Sequence, residues 1–446
     1  MPDKFLLIER MIKEYWNGQL PEMFERELTP ISKSDHIRDI IGPRRSGKTY
    51  LMFLTIRKLV EEHKVPKEAT IYLNLENRRL SPVDVEHLDA VLELINSRQL
   101  IRKYGQVHLF LDEIQRLSGW ERFIRSIYDD FKGRLRIYIS GSSSKLLGGE
   151  TATLLTGRHL TVQVFPLDFR EFLRFKGLEV KDGTKADALS DARTAEIKGH
   201  VREYLLYGGF PEVVQSSQKD DVLSQLFTDI VHRDVVARAS IRNSPVLDEF
   251  AQFLASIAGG LLSFHKMSKY LKSRNIKVSV PTLIRYFTLM KEAFLFFDNP
   301  LFSYNIRAQN QNPRKVYCID NGFARMMSQG PDEDWGKLIE NLVAVQFLRQ
   351  GIPSYYWRAS DQKEVDLILR YHRRLLPIQV CYDLSRADTR EREFSSLLSC
   401  MTQLKLKDGW IINMDTEGTQ RHDGKRVILL PLWKFLLFGL GQRYSK

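Results

Sequence analysis

Eight consecutive residues, Gly42-Pro43-Arg44-Arg45-Ser46-Gly47-Lys48-Thr49, constrain the fold more than any other stretch of the chain. They spell G-x-x-x-x-G-K-[ST], in which the glycines let the backbone curl until its N–H groups face an anion. Such a loop works only between a strand and a helix, because the positive end of the helix then adds to the anion site. The flanks agree: Asp39–Ile41 predicts a short strand, and Thr49–Glu62 predicts the helix that follows.

The loop predicts ATP with Mg²⁺ as ligand, held along Gly42–Thr49. Lys48 would reach the β- and γ-phosphates, and the Thr49 hydroxyl would hold the metal. Some 60 residues on, Val107-His108-Leu109-Phe110-Leu111-Asp112-Glu113 is an apolar strand that ends on two carboxylates. Asp112 is placed to bind the Mg²⁺ shell, and Glu113 to orient or deprotonate a water. The next strand, Leu135–Ser140, runs into Gly141-Ser142-Ser143-Ser144. Ser142 and Ser143 could face the nucleotide; equally they could form a serine-rich turn capping a helix at Lys145–Leu147.

Strands and helices alternate from His36 onward, with Thr70–Leu75 a further strand, which points to an α/β chain with a parallel sheet. Residues 5–28 read as one or two short helices. Beyond Pro166 the pattern turns helical, at Asp168–Lys176, Ala195–Tyr207 and Asp221–Arg238, with a polar loop at Lys181–Asp191. The expected division is 1–35, a helical segment; 36–165, the ATPase core; 166–240, a helical lid; 245–320, a small helical domain; and 330–446, a second α/β block. The 67 Lys and Arg against 55 Asp and Glu leave +12, a balance that suits a polyanionic partner or simply a solvated basic surface. Three scattered cysteines argue for a reducing compartment. The apolar run Val427–Leu440 holds Pro431 and Lys434 and is too short to span a bilayer, so it reads as a strand and a short helix, and the expectation is a cytoplasmic protein without membrane contact.

The phosphate loop, Leu111-Asp112-Glu113-Ile114-Gln115, Ile139-Ser140-Gly141-Ser142-Ser143-Ser144, Leu155-Thr156-Gly157-Arg158 and Phe165-Pro166-Leu167-Asp168-Phe169-Arg170-Glu171-Phe172 together resemble one prokaryotic family. Tyr207-Gly208-Gly209-Phe210-Pro211-Glu212 and His232-Arg233-Asp234 match it too. These are AAA-type ATPases with a C-terminal domain of restriction-endonuclease-like fold, and the resemblance covers nearly the whole chain. It implies an AAA+ core and subunit assembly, with Ser142 as sensor 1 and Arg158 as an arginine finger serving a neighbour's nucleotide. Arg233 becomes a candidate lid arginine. A glycine turn followed by a solvated arginine remains the alternative for Arg158.

Phe250–Ala258, Ser263–Arg274 and Pro281–Lys291 predict three short helices, and Leu295–Phe297 with Lys315–Ile319 a β-wing. This is the layout of a winged helix-turn-helix, whose third helix can enter a major groove. Thr282, Arg285 and Lys291 lie on its outer face, near Lys266, Lys269, Lys272, Arg274 and Lys277. They are candidate DNA contacts, or lysines and arginines that are merely solvated.

From Trp335 onward, an αβββαβ order resembles the PD-(D/E)xK nuclease fold. Glu340 and Asp366 match its first two acidic positions. Its third strand needs Glu-x-Lys, yet Gln379 and Cys381 stand there. Gln379 could still offer a carbonyl oxygen to a metal, and Lys363 is a conceivable substitute for the lysine. The expectation is a degenerate domain kept for binding or assembly. Three functions follow: a DNA-directed ATPase acting perhaps on branched DNA, a nucleotide-dependent switch that binds protein partners, or an ATP-gated Mg²⁺-dependent nuclease.

Overall fold

A computed structural model describes residues 2–440 except 32–33, 145–154, 182, 185, 238–240, 242–243, 329–333 and 372–373. The chain divides into two compact units, Met1–Val164 and Phe165–Lys446.

In the first unit, five strands form one parallel sheet: β1 (Ile37–Ile41), β2 (Thr70–Asn74), β3 (Val107–Asp112), β4 (Leu135–Gly141) and β5 (His159–Gln163), in the order β2-β3-β4-β1-β5. β1 and β3 are buried along their whole length, β1 with Arg38 and Asp39 included, as inner strands of a parallel sheet are. β5 is the strand that sequence patterning misses. It lies at an edge and is half exposed, and its five residues carry only Leu160 and Val162 as apolar side chains, too short an alternation to stand out.

The N-terminal residues form one helix, Pro2–Asn17, rather than two. Ile8 and Ile12 are fully buried, and Tyr15 and Trp16 hydrogen-bond to Thr70 at the start of β2. Beyond it the chain runs without regular structure to Arg26, whose guanidinium donates to the Ser46 carbonyl at 3.0 Å.

The second unit opens with helices Phe169–Phe175, Asp191–Tyr207, Pro211–Gln215 and Lys219–Asp229, the last continuing as a π-helix over Ile230–Val236. Helices Ser244–Ser256, Phe264–Ser273 and Val280–Glu292 follow, with a small antiparallel sheet of β6 (Leu261–Leu262), β7 (Phe296–Asn299) and β8 (Arg314–Cys318), in which β8 is central. The C-terminal part is a mixed sheet of β9 (Ser354–Arg358), β10 (Glu364–Tyr371), β11 (Arg374–Val380), β12 (Asp408–Asn413), β13 (Gly418–His422) and β14 (Lys425–Pro431), in the order β13-β14-β12-β11-β10-β9. Helix Ala387–Gln403 covers one face of it through Phe394, Leu397 and Met401. The other face joins a continuous apolar core that runs through the helical segments from Phe165 to Leu437. β13 is an exposed edge strand with no sequence signal.

Gly208-Gly209 has a structural explanation. Gly208 sits at φ +70°, and a Cβ there would lie 1.6 Å from Asp320 Oδ1. The Gly209 N–H donates to Asp320 at 2.7 Å, and the Gly322 N–H donates at 2.9 Å. Burial pushes the Asp320 carboxyl up to about 6, and these two donors oppose that shift. The Gly208→Ala variant must therefore expel the carboxylate and is expected to lose roughly 3 kcal/mol or more of stability, measured by urea denaturation.

Candidate functional site

The phosphate loop leaves the C-terminal end of β1 and enters helix Lys48–Glu61. Gly42 must be glycine, since a Cβ would lie 2.1 Å from the Val164 carbonyl oxygen. Gly47, at φ +98°, is the left-handed residue that turns the loop into the helix. Lys48 is buried, and its ammonium spans the loop to the carbonyls of Gly42 (3.1 Å) and Pro43 (2.9 Å). The Ser46 hydroxyl is buried and has no hydrogen-bond partner among the described residues.

Strand order assembles the rest. β4 lies between β1 and β3, so the C-terminal ends of all three converge where open parallel sheets bind ligands. Thr49 Oγ1 donates to Asp112 Oδ2 at 2.7 Å. Asp112 is wholly buried and also accepts from the Tyr72 hydroxyl at 2.9 Å and from Ser140 Oγ. Burial, and then the charge of Asp112, push the Tyr72 hydroxyl far above its ordinary range, so it stays a donor. Glu113 follows in a left-handed conformation, φ 56°, with its N–H donating to Ser140 Oγ at 3.0 Å. Gln115 Nε2 donates to the Glu113 carboxylate and, more weakly at 3.4 Å, to Ser142 Oγ.

Ser142 and Ser143 are both buried, Ser142 beside Gln115, while Ser140 is the serine that touches both acidic residues. The helix expected at Lys145–Leu147 lies outside the described residues. Sequence reasoning missed Tyr72, Ser140 and Gln115. Gln115 and Ser140 stood inside quoted motifs, Leu-Asp-Glu-Ile-Gln and Ile-Ser-Gly-Ser-Ser-Ser, without a role assigned to either, while Tyr72 stood in none. The curled loop, the unsatisfied Ser46 hydroxyl and the meeting of Thr49 with Asp112 fit a nucleoside triphosphate with a divalent cation.

Arg158 lies at the other end of the sheet. Its carbonyl accepts from Ile37 N–H at the start of β1, and its side chain pairs with Asp129 at 3.1 Å. It cannot reach the phosphate loop of its own subunit. Arg233 is exposed on the π-helix and pairs with Asp229 at 3.4 Å.

The acidic residues of the C-terminal domain meet an unexpected cation. Lys315, from β8, is 2% exposed. Its ammonium donates to Glu340 at 2.9 Å, Glu364 at 2.9 Å and Asp366 at 2.8 Å. Asp366 and Glu340, then Glu364, hold the lysine well above its ordinary range although burial opposes this. Burial, then Asp366, push Glu340 up to about 8, against the pull of Lys315 and the Tyr317 hydroxyl. Lys363 is not the substitute cation, for it is only half-buried and pairs with Asp361 at 3.2 Å, while Lys315 occupies the acidic cluster. Gln379 is not free to bind a metal either: its Oε1 accepts from the Asp366 N–H at 3.3 Å, and its Nε2 donates to Glu393. Cys381 is a buried thiol pushed up to about 11. Among the described residues, no set of three His, Cys, Asp or Glu side chains could hold a metal ion. No sequence signal pairs Lys315 with residues that follow it by 25 to 51 positions.

Lys266, Lys269 and Lys272 are exposed on helix Phe264–Ser273, and Arg285 is exposed on helix Val280–Glu292. None of the four has an ion pair among the described residues. Thr282, by contrast, is engaged with Ser279, the cap of its own helix, at 2.8 Å. Lys291 and Arg274 are neutralised by Asp298 and Glu249.

Three family models match the chain: an AAA domain at residues 34–173, and two domains of unknown function, DUF8612 at 198–334 and DUF4143 at 335–435. An uncharacterized protein of Methanocaldococcus jannaschii is 31% identical over 450 residues, covering 98% of this chain and 96% of its own. An uncharacterized Haemophilus influenzae protein is 29% identical over 366 residues, 81% of this chain and 86% of that one. An uncharacterized Mycobacterium tuberculosis protein is 25% identical over 346 residues, 74% and 66% respectively. No helix among the described residues is long and apolar enough to cross a membrane.

Removing the buried ammonium leaves Glu340, Glu364 and Asp366 crowded without a cation, so Lys315→Met should cost roughly 3–5 kcal/mol in urea denaturation, and adding Glu340→Gln should recover part of it. With an ordinary value of 4.5 and a folded value of about 8, Glu340 holds in the folded state a proton that the unfolded chain has released. Stability from this group therefore falls as pH rises through that window. Relative to the parent, Glu340→Gln should show a flatter Tm profile between those limits.

Proposed function

We propose that this chain, which belongs to the family of its full-length Methanocaldococcus jannaschii relative and carries an AAA domain, hydrolyses ATP and directs that turnover to remodelling or translocating DNA. The observation that carries the ATPase reading is the 2.7 Å hydrogen bond from Thr49 to Asp112. It joins the phosphate loop to the end of β3, so a hydroxyl and a carboxylate meet where a metal would share them.

Loop N–H groups from Gly42 to Thr49 would receive the phosphates, while Lys48 would exchange the Gly42 and Pro43 carbonyls for β- and γ-phosphate oxygens. Thr49 and Asp112 would hold Mg²⁺, which when bound neutralises phosphate charge. Glu113, positioned by Ser140 and Gln115, would take the proton of the water whose oxygen bonds to the γ-phosphorus as the β–γ bridging P–O bond breaks. Arg158, pointing away from its own site, suits a finger that completes a neighbour's site in a homo-oligomer.

Three helices with a three-stranded sheet support a winged helix-turn-helix reading of the middle segment, and the unpaired Lys266, Lys269, Lys272 and Arg285 support phosphate contact. The six-stranded mixed sheet supports a restriction-endonuclease-like fold for the C-terminal domain. Lys315, seated among its acidic residues, supports a domain that binds without cleaving.

Lys48→Ala should abolish nucleotide binding. Glu113→Gln should keep it while turnover falls by about 100-fold, and an unchanged rate would refute the role of Glu113. Turnover should rise with duplex, single-stranded or branched DNA. No stimulation by any of them, with no binding at low salt, would favour a nucleotide-dependent scaffold for protein partners.

A further inference from the structure

The second unit carries a groove of about 950 Å³ that belongs to neither the ATP site nor the Lys315 cluster. Its walls come from three places. After β7 the chain runs beside edge strand β9, with Phe302 N–H donating to the Tyr356 carbonyl at 2.6 Å. A short loop then presents Tyr304, 84% exposed, and runs into helix Ile306–Gln311, whose first residue Ile306 is 71% exposed; these are the two most exposed large apolar side chains among the described residues. The loop is not loose: Asn305 caps the helix after it, and Gln309 Nε2 holds the Ser303 carbonyl at 2.6 Å. Phe302 supports Tyr304 edge-on at 5.4 Å between ring centroids, and Tyr355 in turn meets Phe302 at 5.7 Å.

Facing these rings is a ring of positive charge. Arg370 and Arg374 stand at the turn end of the β10–β11 hairpin. Lys405 and Lys407 alternate with Leu404 and Leu406 beyond helix Ala387–Gln403. The leucines pack inward on the core, which leaves both lysines exposed. None of the four cations has an ion pair among the described residues. The acid beside them, Asp408, is paired with Arg426 at 2.9 Å.

Exposed aromatic side chains among unpaired cations are what a flexible polyanion with aromatic bases requires: the bases stack and the phosphates are neutralised. A duplex hides its base faces, and an acidic peptide has few rings to stack. We propose that this groove binds single-stranded nucleic acid, with Tyr304 as its stacking platform and Arg370, Arg374, Lys405 and Lys407 as its phosphate contacts. This deepens the DNA-directed reading by giving the C-terminal domain a strand to hold, and it is testable without ATP turnover.

The test is fluorescence anisotropy on the full chain at low salt, with oligo(dT) and oligo(U) of roughly 16 nucleotides, a hairpin duplex, and heparin as a base-free polyanion. Oligo(dT), oligo(U) or both should bind, with affinity falling as salt rises. Tyr304→Ala should weaken binding by about tenfold and Tyr304→Phe should restore it, with Tm unchanged in both. Arg370→Glu combined with Lys405→Glu should abolish binding. No binding of either oligonucleotide overturns the proposal. So does binding indifferent to Tyr304→Ala or matched by heparin, since charge alone then explains it. Duplex-stimulated ATP turnover that persists without oligonucleotide binding would sink the groove alone, whereas a parent chain without turnover would sink the ATPase reading.

Discussion

A carboxylate taken out of water must find donors where it lies, and this chain meets that requirement in three different ways. Asp112 is satisfied by neutral hydroxyls from Thr49, Tyr72 and Ser140. Asp320 is satisfied by the backbone amides of Gly209 and Gly322. Glu340 and Asp366 share an ammonium, Lys315. The kind of donor determines what each site can do. Hydroxyls can turn aside for a divalent cation at modest cost, backbone amides cannot leave without unfolding a turn, and a buried ammonium is itself the cation.

The same contrast separates two acidic clusters. One sets Asp112 and Glu113 at the end of β3, the other gathers Glu340 from helix Trp335–Arg349 with Glu364 and Asp366 from the start of β10, and carboxylates so grouped suit metal chemistry. In the first unit the space beside Asp112 opens on a phosphate loop with an unsatisfied Ser46 hydroxyl. In the second, Lys315 comes from a different sheet and fills the equivalent space, with Tyr317 from the same strand bonded to Glu340. Removing either partner of such a pair leaves an uncompensated charge, so the contact works as a fastening between the three-stranded and six-stranded sheets rather than as a reactive centre.

Much of the first unit was legible in the chain. The loop, its strand and helix, and the Asp-Glu pair are local features, set by residue type and short spacing, and their boundaries shift by a residue or two at most. In the second unit the main helices and strands could also be read, because burial imposes a period on each. Edge strands β5 and β13 could not, since half-exposed strands carry mixed polarity. The single N-terminal helix was blurred by the irregular chain after it, whose residues pack by tertiary contact, as Arg26 does against Ser46.

By itself, then, the amino-acid order determined an α/β unit with a glycine-rich loop between strand and helix, and the carboxylates of Asp112 and Glu113 at the end of β3, because each needs only neighbours close along the chain. The tertiary structure decided that β4 separates β1 from β3, so that Ser140 touches both acidic residues. It decided that Arg158 lies at the far end of the sheet from its own loop and that Lys315, from a preceding sheet, sits among Glu340, Glu364 and Asp366. It also brought Tyr304 beside Arg370 and Lys405. Strand order and long-range pairing arise from the packing of whole elements, and no local period or motif encodes them.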